Sequence, residues 1–404
     1  LKRALATIQT YVDGIFITLT GDKKDLKQTE DFCQKASINL SYLQPYKTID
    51  QEAMGFIKDN LKYDPHIKIG DRIFQFDQAR NFNFSQVPEE YDWILWLDCD
   101  DIVQNGQDIK GILQQGDQEN IEVFFLNYIY SAELDENQNV KNIIIQHFRE
   151  RIIKNNKKFK WVGPIHEILV AQEPLAGREE HNCSILHIST PQAMRDSTFR
   201  NIKSLELAIY KAGASDLRQI YYLAKSFFDV GVPEYDQKSQ ELMGLFLTGD
   251  IDSQYPAERS QAWEYLADIY KKYGDYKQAI KACMNGLMDN PQNPSVYSNI
   301  ANSYMYQNDL PKALFWANIS KEIIDNDMFL AKFPKTTKAN IYEVFLYANL
   351  NSGKFKEARE AAVELVKLYP DNERCLTTLR LVDKFIKERS LSKDLANRLA
   401  TGIA

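Results

Sequence analysis

The chain has little that would staple it, anchor it or hold it to a polyanion. Its 404 residues include five cysteines, Cys33, Cys99, Cys183, Cys283 and Cys375, an odd number with no CxxC pair. That scatter excludes a zinc framework or a disulfide scaffold and reads as reduced thiols, so a cytoplasmic protein is expected. No apolar run approaches the roughly 18 residues of a membrane helix, so no span is expected. Basic residues are not in excess: 49 Lys and Arg stand against 56 Asp and Glu, a net charge of −7. This argues against a nucleic-acid partner. No Gly-rich phosphate loop with an early Lys is present, which argues against a nucleotidyltransferase. No signal peptide is visible, and the sequence starts at Leu1 rather than Met.

What is present is ample core, 44% hydrophobic residues, and a length that suits two or three domains. The first half alternates short apolar runs with helical spacing. Leu1 to Tyr11 reads as helix, Ile15 to Leu19 as strand, Asp25 to Gln34 as helix and Ile38 to Leu43 as strand. That is the pattern of a parallel sheet. Pro45 to Ile73 looks like an insertion with one helix, Gln51 to Leu61, and Asp77 to Phe84 reads as a further helix. Trp93 to Leu97 is predicted as a strand buried on both faces. Val123 to Tyr130 and Ile143 to Phe148 read as strands around a polar turn, and Ser184 to Ile188 as the last strand-like piece.

Beyond about residue 192 helical periodicity takes over. Trp263, Leu266, Ala267, Tyr270, Gly274, Tyr276, Ala279, Gly286 and Pro291 fall at tetratricopeptide spacings. One period of about 34 residues later the slots hold Tyr297, Ile300, Ala301, Tyr304, Asn308, Leu310, Ala313 and Ser320. A third copy, after an insertion, carries Tyr342, Phe345, Leu346, Gly353, Phe355, Ala358, Leu365 and Pro370, and a degenerate one begins at Ile220. No copy can bury its apolar face alone, so the copies are expected to stack. Two domains are expected, 1–192 and 193–404.

Three stretches carry chemistry. Asp98-Cys99-Asp100-Asp101 follows the Trp93 strand, where ligands sit in open α/β sheets. On an extended backbone Asp98 and Asp100 project to one side, and a divalent cation between them would relieve their repulsion. Helix N-caps also use Asp, so the motif gains its weight from the strand before it. Arg80, in the helix before that strand, could bind a base carbonyl or a phosphate with its planar fork. Trp161-Val162-Gly163-Pro164-Ile165-His166-Glu167 makes an abrupt turn that ends in polar groups. There Glu167 could act as a general base, and His166 or His187 could bind a metal or a phosphate. Arg149, Arg151 and Lys154 could neutralise a departing diphosphate, or simply form a solvated basic hairpin. His66, His147 and His181 read as structural or surface residues.

In the order Leu1–Asp13, Phe76–Asn81, Trp93–Asp100 and Trp161–Glu167, the chain resembles glycosyltransferase family 2. The likeness is to bacterial members with a tetratricopeptide tail, peptide and protein glycosyltransferases of the sublancin S-glycosyltransferase type. The resemblance implies an α/β GT-A nucleotide-sugar domain followed by an all-α tetratricopeptide-like solenoid. It implies a nucleotide-sugar donor, a UDP-sugar in the first instance, Mn²⁺ or Mg²⁺, and inversion at the anomeric carbon. Asp98 and Asp100 match the family's DxD, Asp100 as the direct metal ligand and Asp98 nearer the ribose; His187 stays a metal candidate on its own chemistry alone. Arg80 matches an arginine near the nucleobase and His166-Glu167 the family's His-Glu pair near the acceptor; outside that match, Asp77 is a further candidate for the nucleotide and Arg151 for the diphosphate. The family's first strand is expected before Leu1. Its second strand usually ends in an Asp near the base, where this chain has Leu19-Thr20-Gly21-Asp22, so the base is left open unless Asp13 or Asp22 compensates.

The function expected is therefore a metal-dependent transferase whose repeats hold a peptide or protein acceptor, or mediate self-association. A transferase for a cell-wall or capsular glycan is a second reading, and a non-catalytic scaffold with a degenerate transferase domain a third.

Overall fold

A computed structural model describes residues 1–21, 23–61, 63–137, 139–171, 173–188, 191–212, 216–250, 254–326 and 331–400. By its internal contacts the chain forms two compact units. Unit 1 is Leu1–Ser131 with His147–Gln254, and unit 2 is Ala132–Gln146 with Tyr255–Ala404.

Unit 1 opens with α1 (Lys2–Ile8), β1 (Phe16–Leu19), α2 (Lys23–Lys35) and β2 (Asn39–Tyr42). β1 and β2 pair in parallel, as strand–helix–strand spacing predicts. The Pro45–Ile73 stretch holds the expected helix, α3 (Gln51–Asn60), capped by the Asp50 side chain on Ala53 N. It also contains a strand pair the sequence did not announce, β3 (Tyr46–Thr48) antiparallel to β4 (Arg72–Phe74). Strands of three residues are too short to show a period. α4 (Phe76–Ser85) follows directly.

The main sheet departs from the parallel expectation. It comprises β5 (Trp93–Leu95), β6 (Asp101–Gln104), β7 (Val123–Leu134), β8 (Val140–Lys154) and β11 (Gly177–His187), in the order β5-β8-β7-β11-β6. Among the described residues β7 and β11 pair in parallel, while β5–β8 and β6–β11 pair antiparallel. A short turn at Asp135 joins β7 to β8, and a connection that short can only reverse the chain. β5 is three residues long and lies at an edge of this sheet, so Trp93, Ile94 and Leu95 are half-buried rather than covered on both faces. α5 (Ile109–Glu119) covers the sheet, and Phe124, Leu126, Cys183 and Ile185 form the fully buried centre. β9 (Phe159–Val162) and β10 (Ile168–Ala171) make a separate antiparallel pair around the Gly163–Glu167 loop.

Helices α6 (Pro191–Ala212), α7 (Leu217–Val230) and α8 (Pro233–Leu247) belong to unit 1. α6 packs on α3 and β4. The degenerate copy read from Ile220 onward is the α7–α8 hairpin.

Unit 2 is a run of helical hairpins: α9 (Pro256–Lys272) with α10 (Tyr276–Asp289), α11 (Pro294–Tyr306) with α12 (Leu310–Asp325), and α13 (Pro334–Asn351) with α14 (Phe355–Leu368). α15 (Glu373–Ala400) closes it. The small residues of the repeat slots, Ala267, Ala279, Ala301, Ala313 and Ala358, are wholly buried. A Cβ at Gly286 would approach Ser260 O and Trp263 Cβ to 3.3 Å, so small side chains set how closely the helices pack. No helix among the described residues is long and apolar enough to cross a membrane. All five cysteines are free thiols.

Candidate functional site

The site is organised on Arg80. Asn81 fixes α4 against β9 by a reciprocal pair, Asn81 Nδ2 donating to Trp161 O (2.8 Å) and Trp161 N to Asn81 Oδ1 (2.9 Å). Phe76 N donates to Pro164 O (3.0 Å), tying the start of α4 to the following loop. Arg80 Nε then donates to Glu167 Oε1 (2.6 Å) and Nη2 to Asp98 Oδ1 (2.8 Å). Its guanidinium also lies over the rings of Trp96 (4.6 Å) and Trp161 (5.1 Å). One side chain thus joins the three stretches singled out in the sequence. Burial opposes the Asp98 charge, but Arg80, Arg151 and Arg149 outweigh it and hold the carboxyl at about 2.

After β5 the backbone turns. Asp101 N donates to Asp98 O (3.0 Å), and Asp98 N to Asp101 Oδ2 (3.0 Å). Asp98 and Asp100 are therefore not on an extended segment, and they part: Asp98 goes to Arg80 and Asp100 towards His187. Asp101 is fully buried and accepts from Arg151 Nη1 (2.9 Å) and Tyr128 OH (3.2 Å). The β6–β11 register places His187 opposite Asp101, with Nδ1 at 3.3 Å from Asp101 Oδ1 and 3.6 Å from Asp100 Oδ1. Burial lowers the His187 pKa, but Asp101 and Asp100 outweigh it and raise it. Asp100 is raised in turn, first by burial, with the pull of His187 only partly opposing.

Ligand atoms of Asp100, Asp101 and His187 lie within 4.8 Å of one another. Two carboxylates and an imidazole at that separation suit a divalent ion of the Mn²⁺ or Mg²⁺ kind, with metal–ligand bonds of about 2.1 Å. The Asp100 side chain keeps 48% of its exposure, so it is the open ligand of the three.

Around these groups the placement differs from residue to residue. Arg151, expected beside a diphosphate, is fully buried between Trp96 (3.8 Å) and Tyr128 (4.2 Å) and serves Asp101. Arg149 keeps solvent access and lies 3.8 Å from Glu167 Oε1, over Trp96 (4.8 Å). Lys154 pairs with Asp117 over the Trp93 ring. Asp77 opens α4 and accepts from Gln78 N (2.8 Å). His166 stacks on Tyr222 (4.1 Å between centroids) at a left-handed φ of 49°, its carbonyl held by Arg218 Nη1 (2.7 Å). Burial, then the Lys225, Arg218, Arg149 and Arg200 cations, holds its imidazole well below the usual range, so it is neutral at neutral pH. Leu19 is buried, Asp13 is exposed, and Asp22 lies outside the described residues.

Two roles in the site were not legible in the sequence, that of Trp96 and that of Asp101, although Asp101 stands in the acidic motif. Trp96 is the shared platform of three arginines, and Asp101 is the buried hub beneath them. The alternation Arg149-Glu150-Arg151 on a β-forming run was the available signal, since residues two apart share a face of a strand.

No protein-family model matches this sequence, and no curated protein matches it. Solved structures do, over the helical repeats. The first TPR domain of Spaghetti (RPAP3) bound to an HSP90 peptide is 19% identical, over 32% of this chain and 98% of that one, with a TM-score of 0.28. PilF of Pseudomonas aeruginosa is 14% identical over 49% of this chain and 77% of its own, with a TM-score of 0.37. BtubC from P. vanneervenii is 13% identical over 54% and 94%, with a TM-score of 0.38.

Proposed function

We propose that unit 1 is a metal-dependent inverting glycosyltransferase and that the repeats of unit 2 are a protein-binding scaffold. The transferase would move a sugar from a nucleotide-sugar, a UDP-sugar first, to a polypeptide side chain. The observation that carries this reading is the convergence of Arg80, Asp98 and Glu167 beside the Asp100–Asp101–His187 cluster. Arg151 Nε and Nη2 and the indole N–H groups of Trp96 and Trp161 are buried without hydrogen-bond partners among the described residues. Burying so many cations and unpaired donors costs stability, which favours a functional over a purely structural origin.

The roles follow from chemistry. Asp100 and His187, backed by Asp101, would hold the divalent ion, which supplies positive charge to the departing diphosphate. Arg149 is the solvent-accessible cation for the same charge. Asp98, kept ionised by Arg80, offers an acceptor to a ribose hydroxyl. Glu167 takes the proton of the acceptor hydroxyl or thiol as that atom bonds to the anomeric carbon and the bond to the diphosphate breaks. Neutral His166 lines the acceptor side. The direct test is hydrolysis of a panel of nucleotide sugars with Mn²⁺, which Asp100→Ala should abolish.

A second reading is a non-catalytic scaffold. Arg80 pairs with Glu167 and Arg149 lies 3.8 Å from it, instead of leaving it open. Mass spectrometry of candidate acceptors after incubation with mixed nucleotide sugars separates the readings, and also separates a polypeptide from a glycan acceptor.

A further inference from the structure

Within unit 1 a second concavity is walled by the Pro45–Ile73 stretch and α6. It has a volume of about 620 Å³. One wall is aromatic: Tyr46 and Phe74 pack edge to face at 5.4 Å, and Phe74 and Phe76 at 4.6 Å. The opposite wall brings Arg200 and Lys203 from α6, with Arg72 coming from β4. Lys203 is paired with Asp71 (2.9 Å), the one carboxylate that faces these three cations in the lining. Arg200 lies 5.5 Å over the Phe76 ring and hydrogen-bonds the Asn201 side chain (3.4 Å), with no carboxylate partner among the described residues.

The walls are fixed in advance. Fully buried Glu206 accepts from Tyr63 OH (3.1 Å), His66 N (3.1 Å) and Ile67 N (2.9 Å), fastening the insertion to α6. A site with little left to order loses less on binding.

The wall chemistry selects the occupant. Arg72 lies over a face of Tyr46 (4.5 Å) and Arg200 over a face of Phe76, while Phe199 lines the cavity with 48% of its surface exposed. The guanidinium planes pair with carboxylates, and the exposed Phe199 ring takes an aromatic or aliphatic side chain. Arg200, which no carboxylate pairs among the described residues, favours an anionic ligand. The position fits an acceptor as well. Phe76 N is held by Pro164 O, and Phe76 stands about one helical turn before Arg80 on α4.

We propose that this cavity binds an acidic segment of the polypeptide acceptor, a Glu or Asp beside an aromatic or aliphatic residue, flanking the side chain that reacts. It rests on the polypeptide acceptor proposed above, and its binding measurement uses no donor. Full-length protein is titrated at low salt into a dye-labelled Glu-Phe-Glu peptide, with fluorescence anisotropy as the readout. Binding should weaken about tenfold in Arg200→Gln, and by a similar factor for the Gln-Phe-Gln peptide on the unaltered protein. Donor hydrolysis by Arg200→Gln should match that of the unaltered protein. Equal binding by Arg200→Gln, equal binding of the neutral peptide, or tighter binding of an acidic oligosaccharide would each overturn the proposal. So would hydrolysis lost in Arg200→Gln alone, which would move Arg200 to the donor side. Peptide binding that persists while no form of the protein turns over a donor would retain the cavity and remove the transferase.

Discussion

At Arg80 two carboxylates from distant parts of the chain share one guanidinium. Replacing it strands Glu167, whose side chain is 7% exposed, beside Arg149 alone. Arg80→Ala is expected to cost about 3 kcal/mol in urea unfolding and to lower donor turnover at least about 100-fold. Arg80→Lys should recover little, because a point charge can neither bridge both acids nor stack on Trp96. In the other unit Glu264 provides a pH test. Burial lifts its carboxyl to about 7 from an ordinary 4.5, against the hydrogen bonds of Ser295 and Asn293. A pKa raised by folding gives stability that is full below about 4.5 and declines as pH rises through about 7. Unit 2 should thus lose about 3 kcal/mol between pH 4.5 and 8, read by hydrogen exchange of α9. Glu264→Gln should flatten that slope, and an unchanged slope would place the titration elsewhere.

Among the elements, the repeat hairpins were the most legible. Gly231, Gly274, Asn308 and Gly353 occupy equivalent turns, all with positive φ of 76°, 77°, 61° and 67°. The chain must turn left-handed there to lay the second helix on the first, and only Gly, or less often Asn, does so cheaply. A Cβ at Gly274 would meet nothing within 4 Å, so Gly274→Ala tests the backbone alone. It should cost about 1 kcal/mol in thermal unfolding, while Asn308→Gly should be neutral or stabilising. The sheet was less legible. Hydrophobic runs and the polar turn located β7 and its return as β8, but not the direction of β11, which depends on partners far away in sequence, and three-residue strands such as β3 and β4 carry no period. At the site, residue types were readable while their grouping was not. The turn at Asp98–Asp101 sends two carboxylates to different partners, and Trp96 brings Arg80 to the Arg149–Arg151 pair by packing that only the pair's own spacing foreshadows.

At the scale of the molecule, the sequence shows no long apolar run, and no helix among the described residues is long and apolar enough to cross a membrane. The division into units was not visible in the sequence, because the hairpin tip 132–146 counts with the repeats. Gln146 N donates to Lys332 O (3.0 Å), and Glu133 pairs with buried Lys335. Glu133→Ala should therefore destabilise unit 2 by about 1 kcal/mol in urea, since it leaves Lys335 unpaired, although Glu133 itself is partly exposed. The account as a whole rests on one claim, that the acids after β5 hold a divalent ion for transfer from a nucleotide sugar. Hydrolysis of a nucleotide-sugar panel by full-length protein with Mn²⁺, beside Asp100→Ala, tests it most directly. The account predicts turnover of at least one donor, lost at least about 100-fold in the variant with unfolding unchanged. Absence of both binding and turnover across the panel, or equal turnover by Asp100→Ala, would contradict it.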